Sequence, residues 1–326
     1  MGGRDHRRER KLKTLQKLII DADTASGDAA AIVFALRETQ LQVLAVTTVA
    51  GAVPLARACR NSALAMERAG AVAVPLYAGC ARPLVRPAPA QPGPWGPDGL
   101  SGAHFSEPRL APEPEHAVNA LIHILRAEQE VTILALGPMT NLALALRKAP
   151  DIAGHISRVA AVAGCGLSRA AHTAAAEFNV FTDPHAADIV FSSGIPLLLF
   201  PAETGLADAR LPGAELAALR GCGDPAAELC LRGGAWQEGY HRARYGEAFF
   251  ALPEAAAAAC LIHPEWIRDS LCCKVRADVS GACTLGQTIL DGKAPEEERT
   301  ALVATGLDRQ ALAACVYKTL GGEGKR

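Results

Sequence analysis

Aromatic side chains are scarce in this chain, at 5% of its 326 residues. Its core must therefore be built from alanine and aliphatic residues, and half of the chain is hydrophobic. That suffices for one large α/β domain or two small ones. An excess of charge of one sign is also missing. A formal net charge of −1 offers no basic face to neutralise phosphates, which excludes a general nucleic-acid binder. No apolar run approaches the roughly 20 residues that span a bilayer, so no membrane role is expected. The opening "MGGRDHRRERKLK" has no apolar stretch before Leu15, so no secretory leader is expected. His6 stands where an N-myristoylation signal needs Ser or Thr, which removes that reading too. Residues 1–15 read as a basic flexible tail. The ten cysteines include no C-x-x-C pair, and Cys272 and Cys273 are adjacent. Neither a metal site nor a disulfide framework follows from such spacing. Cysteines such as Cys260 sit among apolar residues as small hydrophobes, and a reducing, cytoplasmic setting is the simplest.

What is present is an alternation. "KLIID" (17–21), "LQVLAVTTVAG" (41–51), "VTILALG" (131–137), "RVAAVAG" (158–164) and "IPLLLF" (195–200) read as buried parallel strands. Between them, 28–38, 54–70 and 117–129 carry apolar residues at three- and four-residue intervals and read as helices. Such βα units imply an α/β fold with a mostly parallel sheet covered by helices on both faces. The proline- and glycine-rich stretch 85–115 reads as a surface excursion, 231–255 as a movable flap, 272–295 as a small β meander and 307–320 as a closing helix. With no repeat and no linker, 16–322 reads as a single domain.

Ligands of such sheets bind beyond the carboxyl ends of the strands. "DADTASGDAAAI" (21–32) falls there, with Asp21, Asp23 and Asp28 and no nearby Lys or Arg. The carboxylates repel one another unless a cation sits among them, and hard oxygen ligands without His or thiolate suit Ca²⁺ or Mg²⁺ rather than zinc. A metal there would lower the pKa of a water, with a neighbouring Asp taking its proton. A purely local reading is also open: Asp28 caps a helix beginning at Ala29, and Asp21 and Asp23 close an Asx turn. A carbonyl near Leu136 could face the same metal. Glu177 and Asn179, two apart, would point the same way on an extended segment. Glu254 is a lone acid opening an otherwise apolar helix, which is also a common dipole or capping feature. In the flap, Trp236, Tyr240, His241, Arg244 and Tyr245 could meet a ligand or simply pack; Arg169 and His172 could enter the same pocket.

The stretches "DADTASGDAAAI", "TTVAGAVPLARACRNSALA", "WGPDGLSG", "ILALGPMTNLALAL", "AEFNVFTDPHAADIVFSSGIP" and "GQTILDGK" together resemble the inosine-uridine preferring nucleoside hydrolase family, in order over roughly 16–320. The resemblance implies a Rossmann-like nucleoside hydrolase fold, one Ca²⁺, and hydrolysis of the N-glycosidic bond of a nucleoside or related ribosyl compound. It implies Asp23 as general base and metal ligand, with Asp28, the Leu136 carbonyl and Glu254 as further metal ligands. Glu177 and Asn179 would grip the ribose; Trp95, Tyr240 and His241 would meet the substrate; and the protein would be a homodimer or homotetramer. The departures from the pattern are Gly27 and Ala52 where Asp and Asn are usual, Ala171 near another sugar-binding Asn, Trp95 for a His, and Pro253-Glu254 for His-Asp. They imply altered sugar and base contacts or, alternatively, a catalytically silent protein that binds a ligand or partner through the retained fold.

Overall fold

The computed structural model describes residues 15–322 except 88, 90–92 and 167–171. Its strands are β1 (Gln16–Ala22), β2 (Leu41–Thr48), β3 (Leu76–Ala78), β4 (Val131–Ala135), β5 (Ile156–Val162), β6 (Leu197–Phe200), β7 (Ile267–Ala277), β8 (Thr288–Asp291) and β9 (Ala301–Leu307). They form one nine-stranded sheet in the order β3-β2-β1-β4-β5-β6-β9-β7-β8. Every pairing from β3 across to β9 is parallel, whereas β7 runs antiparallel to both β9 and β8. The chain order reverses between β1 and β4, which opens the crevice where ligands of such sheets sit.

The helices are α1 (Ser26–Arg37), α2 (Leu55–Ala69), α3 (Ala117–Ala127), α4 (Thr140–Lys148), α5 (Phe178–Thr182) and α6 (Pro184–Phe191), followed by α7 (Ala202–Asp208), α8 (Gly213–Gly221), α9 (Pro225–Gly233), α10 (Trp236–Tyr245), α11 (Pro253–Ile262) and α12 (Arg309–Tyr317). Successive residues of β1 feed opposite cores. Leu18 and Ile20 pack with α1, α2, α9, α11 and α12, while Ile19 packs with α3, α4 and α6. Burial on both faces is why the strands read as continuous apolar runs rather than alternating ones.

The scarcity of aromatics leaves alanine to pack helix against helix. Ala29–Ala31 of α1 and Ala255–Ala259 of α11 are fully buried, and the two helices pack together. Side chains this small let the helices approach closely, which sets Asp28 beside Glu254.

Several boundaries differ from expectation. α1 opens at Ser26, so Asp28 is its third residue rather than its cap. Its Oδ2 accepts the Ala25 N–H at 3.2 Å, half of a capping box, so the local and chemical readings of this acid coexist. The expected meander is the β7–β8 hairpin, which joins the main sheet through β9. The expected flap is mostly the end of α9 and the helix α10, which buries Gln237 and His241 and is pinned by the Trp236 N–H donating to Ser101 Oγ at 2.9 Å. No helix among the described residues is long and apolar enough to cross a membrane.

Candidate active site

The site begins where β1 ends. Asp21 is buried and committed to structure: its Oδ1 accepts Thr47 Oγ1 at 2.7 Å and Asn141 Nδ2 at 2.8 Å, tying β1 to β2 and α4. Burial pushes its pKa up to about 6 against those hydrogen bonds.

Asp23 follows beyond the strand, buried and tightly framed. Its Oδ2 accepts the Ala52 backbone N–H at 2.5 Å. A Cβ at Gly51 would collide with Oδ2, and one at Gly137 would come within 2.8 Å of the Asp23 nitrogen and 3.0 Å of Oδ1. These glycines are needed for space, and they hold the carboxyl in one place. Asp23 and Asp28 lie close enough for each to act on the other's charge. Burial raises both pKa values, and the negative charges of Asp23 and Glu254 raise that of Asp28 further.

Glu254 enters from α11, as the residue after a proline at the first helical position, where proline's fixed φ and missing N–H are tolerated. Its Oε2 is shut away from solvent without a hydrogen-bond partner, and burial lifts the carboxyl to about 7. None of Asp21, Asp23, Asp28, Glu177 and Glu254 forms an ion pair with a basic side chain among the described residues. The described residues include no ready-made cluster of three His, Cys, Asp or Glu at metal-holding geometry. The donor chemistry nevertheless suits a hard divalent cation. The acids are oxygen-only, unpaired by any base, and two of their oxygens, Asp21 Oδ2 and Glu254 Oε2, are buried without a hydrogen-bond partner.

The sugar-facing candidates are turned partly to the backbone. Glu177 caps α5: Oε1 accepts the Asn179 N–H at 2.8 Å, while Oε2 accepts those of Gly164 at 3.1 Å and Val180 at 3.2 Å. Burial still lifts it to about 7. Asn179 is the second residue of that helix, not on an extended segment as expected. Its Nδ2 donates to Leu136 O at 2.7 Å and Val162 O at 2.9 Å, leaving only Oδ1 for a ligand. The Leu136 carbonyl therefore has one lone pair engaged and one left.

At the rim, Trp95 is half-buried and lies 5.0 Å from the Phe178 ring, tilted by 60°. His172 stands edge-on to Phe178 at 5.2 Å, with Nε2 buried and unpartnered. Tyr240 and His241 lie on α10, whose Arg244 is near enough for its charge to act on His172. His241 stacks on Phe249 at 4.0 Å, and its Nδ1 meets Phe249 O at 2.9 Å. No hydrogen bond, ring contact or ion pair joins either residue to Asp23, Asp28, Glu177 or Trp95 among the described residues. Arg169 and Ala171 lie outside the described residues.

The sequence reading passed over the braces. Asn61 Nδ2 donates to Thr24 O at 2.9 Å and Asp98 O at 3.0 Å, and Ser62 Oγ meets Thr24 Oγ1 at 2.6 Å. Asp183 accepts from Leu84 N at 2.9 Å and Thr140 Oγ1 at 2.7 Å. The signal was a polar pair inside the apolar run of α2, since polar groups on a core-facing helix surface need a partner.

Unpaired acids in the crevice of a mostly parallel sheet define a class, a Rossmann-like enzyme with an acidic, cation-suited centre. The comparisons narrow it. The inosine-uridine preferring nucleoside hydrolase model matches residues 18–314, and the chain belongs to that family. It is therefore an enzyme of the N-ribosyl hydrolase, or glycosidase, class. It is 32% identical over 276 residues to the pyrimidine-specific ribonucleoside hydrolase RihA of Photobacterium profundum, covering 84% of this chain and 88% of that one. Among solved structures, a plant nucleoside hydrolase, PpNRh1, superposes with a TM-score of 0.87 at 27% identity, covering 94% of this chain and 99% of that one. A purine-preferring ribonucleoside hydrolase from Gardnerella vaginalis gives 0.86 at 25% identity, over 94% and 98% of the two chains.

Proposed function

We propose that this protein is a calcium-dependent hydrolase of the N-glycosidic bond of a nucleoside or related ribosyl compound, with Asp23 as the group that accepts the proton of the attacking water. The observation that carries this reading is the meeting of buried Asp23 and Asp28 with half-buried Glu254, whose Oε2 is shut from solvent, unpaired by any base among the described residues, beyond the carboxyl end of β1. Asp23, Asp28, Glu254 and the free lone pair of the Leu136 carbonyl would hold the cation. When bound, it neutralises the acids and makes a nearby water more acidic.

The remaining chemistry belongs to the chain. In hydrolysis the water oxygen bonds to the anomeric carbon while the carbon–nitrogen bond breaks, and that electron pair leaves with the base. Asp23, held by Ala52 N–H and confined by Gly51 and Gly137, takes the water proton without having to reorient. Carboxylates close to the sugar favour the positive charge that grows on its ring in the transition state. Glu177 and the free Oδ1 of Asn179 would meet ribose hydroxyls. Trp95, backed by Phe178, would supply an apolar wall for the base.

The named relatives divide between pyrimidine and purine nucleosides, so the base is left to experiment. The test is a panel of purine and pyrimidine ribonucleosides and deoxynucleosides, scored for free base and free sugar, on protein whose calcium is measured by elemental analysis. Turnover by calcium-loaded protein, lost on chelation, supports the reading. Tight binding of a nucleoside without turnover favours a second reading, a catalytically silent binder. One observation points that way: Ala52 offers only its backbone N–H, spent on Asp23, where a sugar-reaching side chain is usual in the family. Sedimentation analysis tests the expected homodimer or homotetramer.

A further inference from the structure

Gly27 has no backbone reason to be glycine. It is the second residue of α1, fully enclosed, and is not among the glycines with positive φ. Alanine is the better helix former there, because glycine has more conformational freedom to lose. What demands the missing side chain is Glu254. A Cβ at position 27 would run into the Glu254 carboxyl, closing on Oε2 and the carboxyl carbon and reaching 2.8 Å from Oε1. The two residues lie on different helices, α1 and α11, whose buried alanines hold them close. The neighbour in the way is the free end of a flexible side chain, so an added methyl group would turn Glu254 aside rather than unfold the protein.

We propose that Gly27 is a positioning residue for Glu254. By leaving its own place empty, it seats a carboxylate supplied from α11 next to Asp28, completing the cation site. This rests on the reading that the acid corner binds a divalent cation. Positions 27 and 254 are then a coupled pair: a side chain at 27 and a glutamate at 254 exclude each other. One observation supports the pairing beyond the steric fit. The oxygen pressed closest to Gly27, Oε2, is also the one left buried without a hydrogen-bond partner, as a seat kept for a ligand requires.

The test is a double-mutant cycle on the full chain, with calcium affinity measured by titration calorimetry and melting measured in chelator. Gly27→Ala should melt no lower than wild type without calcium, yet bind calcium at least tenfold more weakly. Glu254→Ala should weaken calcium binding by a similar or larger factor. Gly27→Ala/Glu254→Ala should bind within about twofold of Glu254→Ala alone, because the added methyl group acts only through the glutamate. Equal losses from Gly27→Ala in both backgrounds, or no loss in either, overturn the pairing while leaving the cation site intact. Wild-type protein that takes up no calcium overturns both. If Gly27→Ala fails to fold, rescue by Glu254→Ala supports the pairing, and failure to rescue overturns it.

Discussion

At the end of β1 the side chains of Asp23, Asp28 and Glu254 converge, and glycines at 27, 51 and 137 clear the space around them. At the rim around α5 the relation is reversed. Glu177 spends both oxygens on backbone N–H groups, and Asn179 spends its amino group on two carbonyls. The first region is built to concentrate negative charge in a place that burial makes unfavourable. The second is built to hold strand and helix ends in register, and offers a ligand what those bonds leave over. Stability and function therefore pull against each other in the acid corner and together at the rim.

The largest expected effect breaks this comparison at its centre. Asp23→Asn keeps the shape but removes the basic oxygen, and kcat should fall by about a thousandfold with KM little changed. Steady-state kinetics on calcium-loaded protein checks it. Turnover that survives the substitution would place the proton acceptor elsewhere.

Asn141→Ala probes the brace rather than the acids. It strips a donor from Asp21 and leaves Cys80 N–H and Thr48 C=O without the partners they had. The loss should be about 3 kcal/mol in denaturant unfolding, set by the buried groups left unsatisfied. A loss under about 1 kcal/mol would mean that water repairs the site.

The pH dependence of the metal-free protein tests the claim that the acid corner is unfavourable. Glu177 and Glu254 are lifted by burial to about 7 from an ordinary 4.5. Folded protein therefore holds protons that the unfolded chain has released. Their stabilisation is full below about pH 4.5 and drains as pH rises through about 7. Melting in chelator should fall between pH 5 and pH 8. Calcium should restore more stability at pH 8 than at pH 5, and its binding should release protons. Flat melting across that range would show that the acids are not strained.

The acid corner was readable in the sequence because its signal is local: three aspartates within eight positions, with no base nearby, at a strand end. The parallel sheet was readable for a similar reason, since strands buried on both faces announce themselves as apolar runs. What stayed hidden depends on partners distant in sequence. Glu254 lies more than 200 residues from Gly27, and only the packing of α1 on α11 reveals that one fills the space the other leaves. No pattern in the chain announces that Glu177 also caps α5, with its Oε2 accepting from both Gly164 and Val180. His241 sits in an aromatic-rich stretch, but its ring is taken by Phe249, eight residues on.

The smallest expected effect sharpens the rim side of the comparison. Trp95 is half-buried, and its recorded ring partner is Phe178, the residue between Glu177 and Asn179. A base stacked against this pair gains a contact worth about 0.5–1.5 kcal/mol beyond its buried area. Trp95→Ala should therefore raise KM roughly three- to tenfold while kcat changes little, because the same wall is met before and during bond breaking. Calcium affinity should not move, since Trp95 brings no oxygen donor to the acids. Measuring all three on one preparation separates the two regions. If kcat falls with KM unchanged, the wall acts on the departing base in the transition state, and the rim belongs to the chemistry as much as the acid corner does.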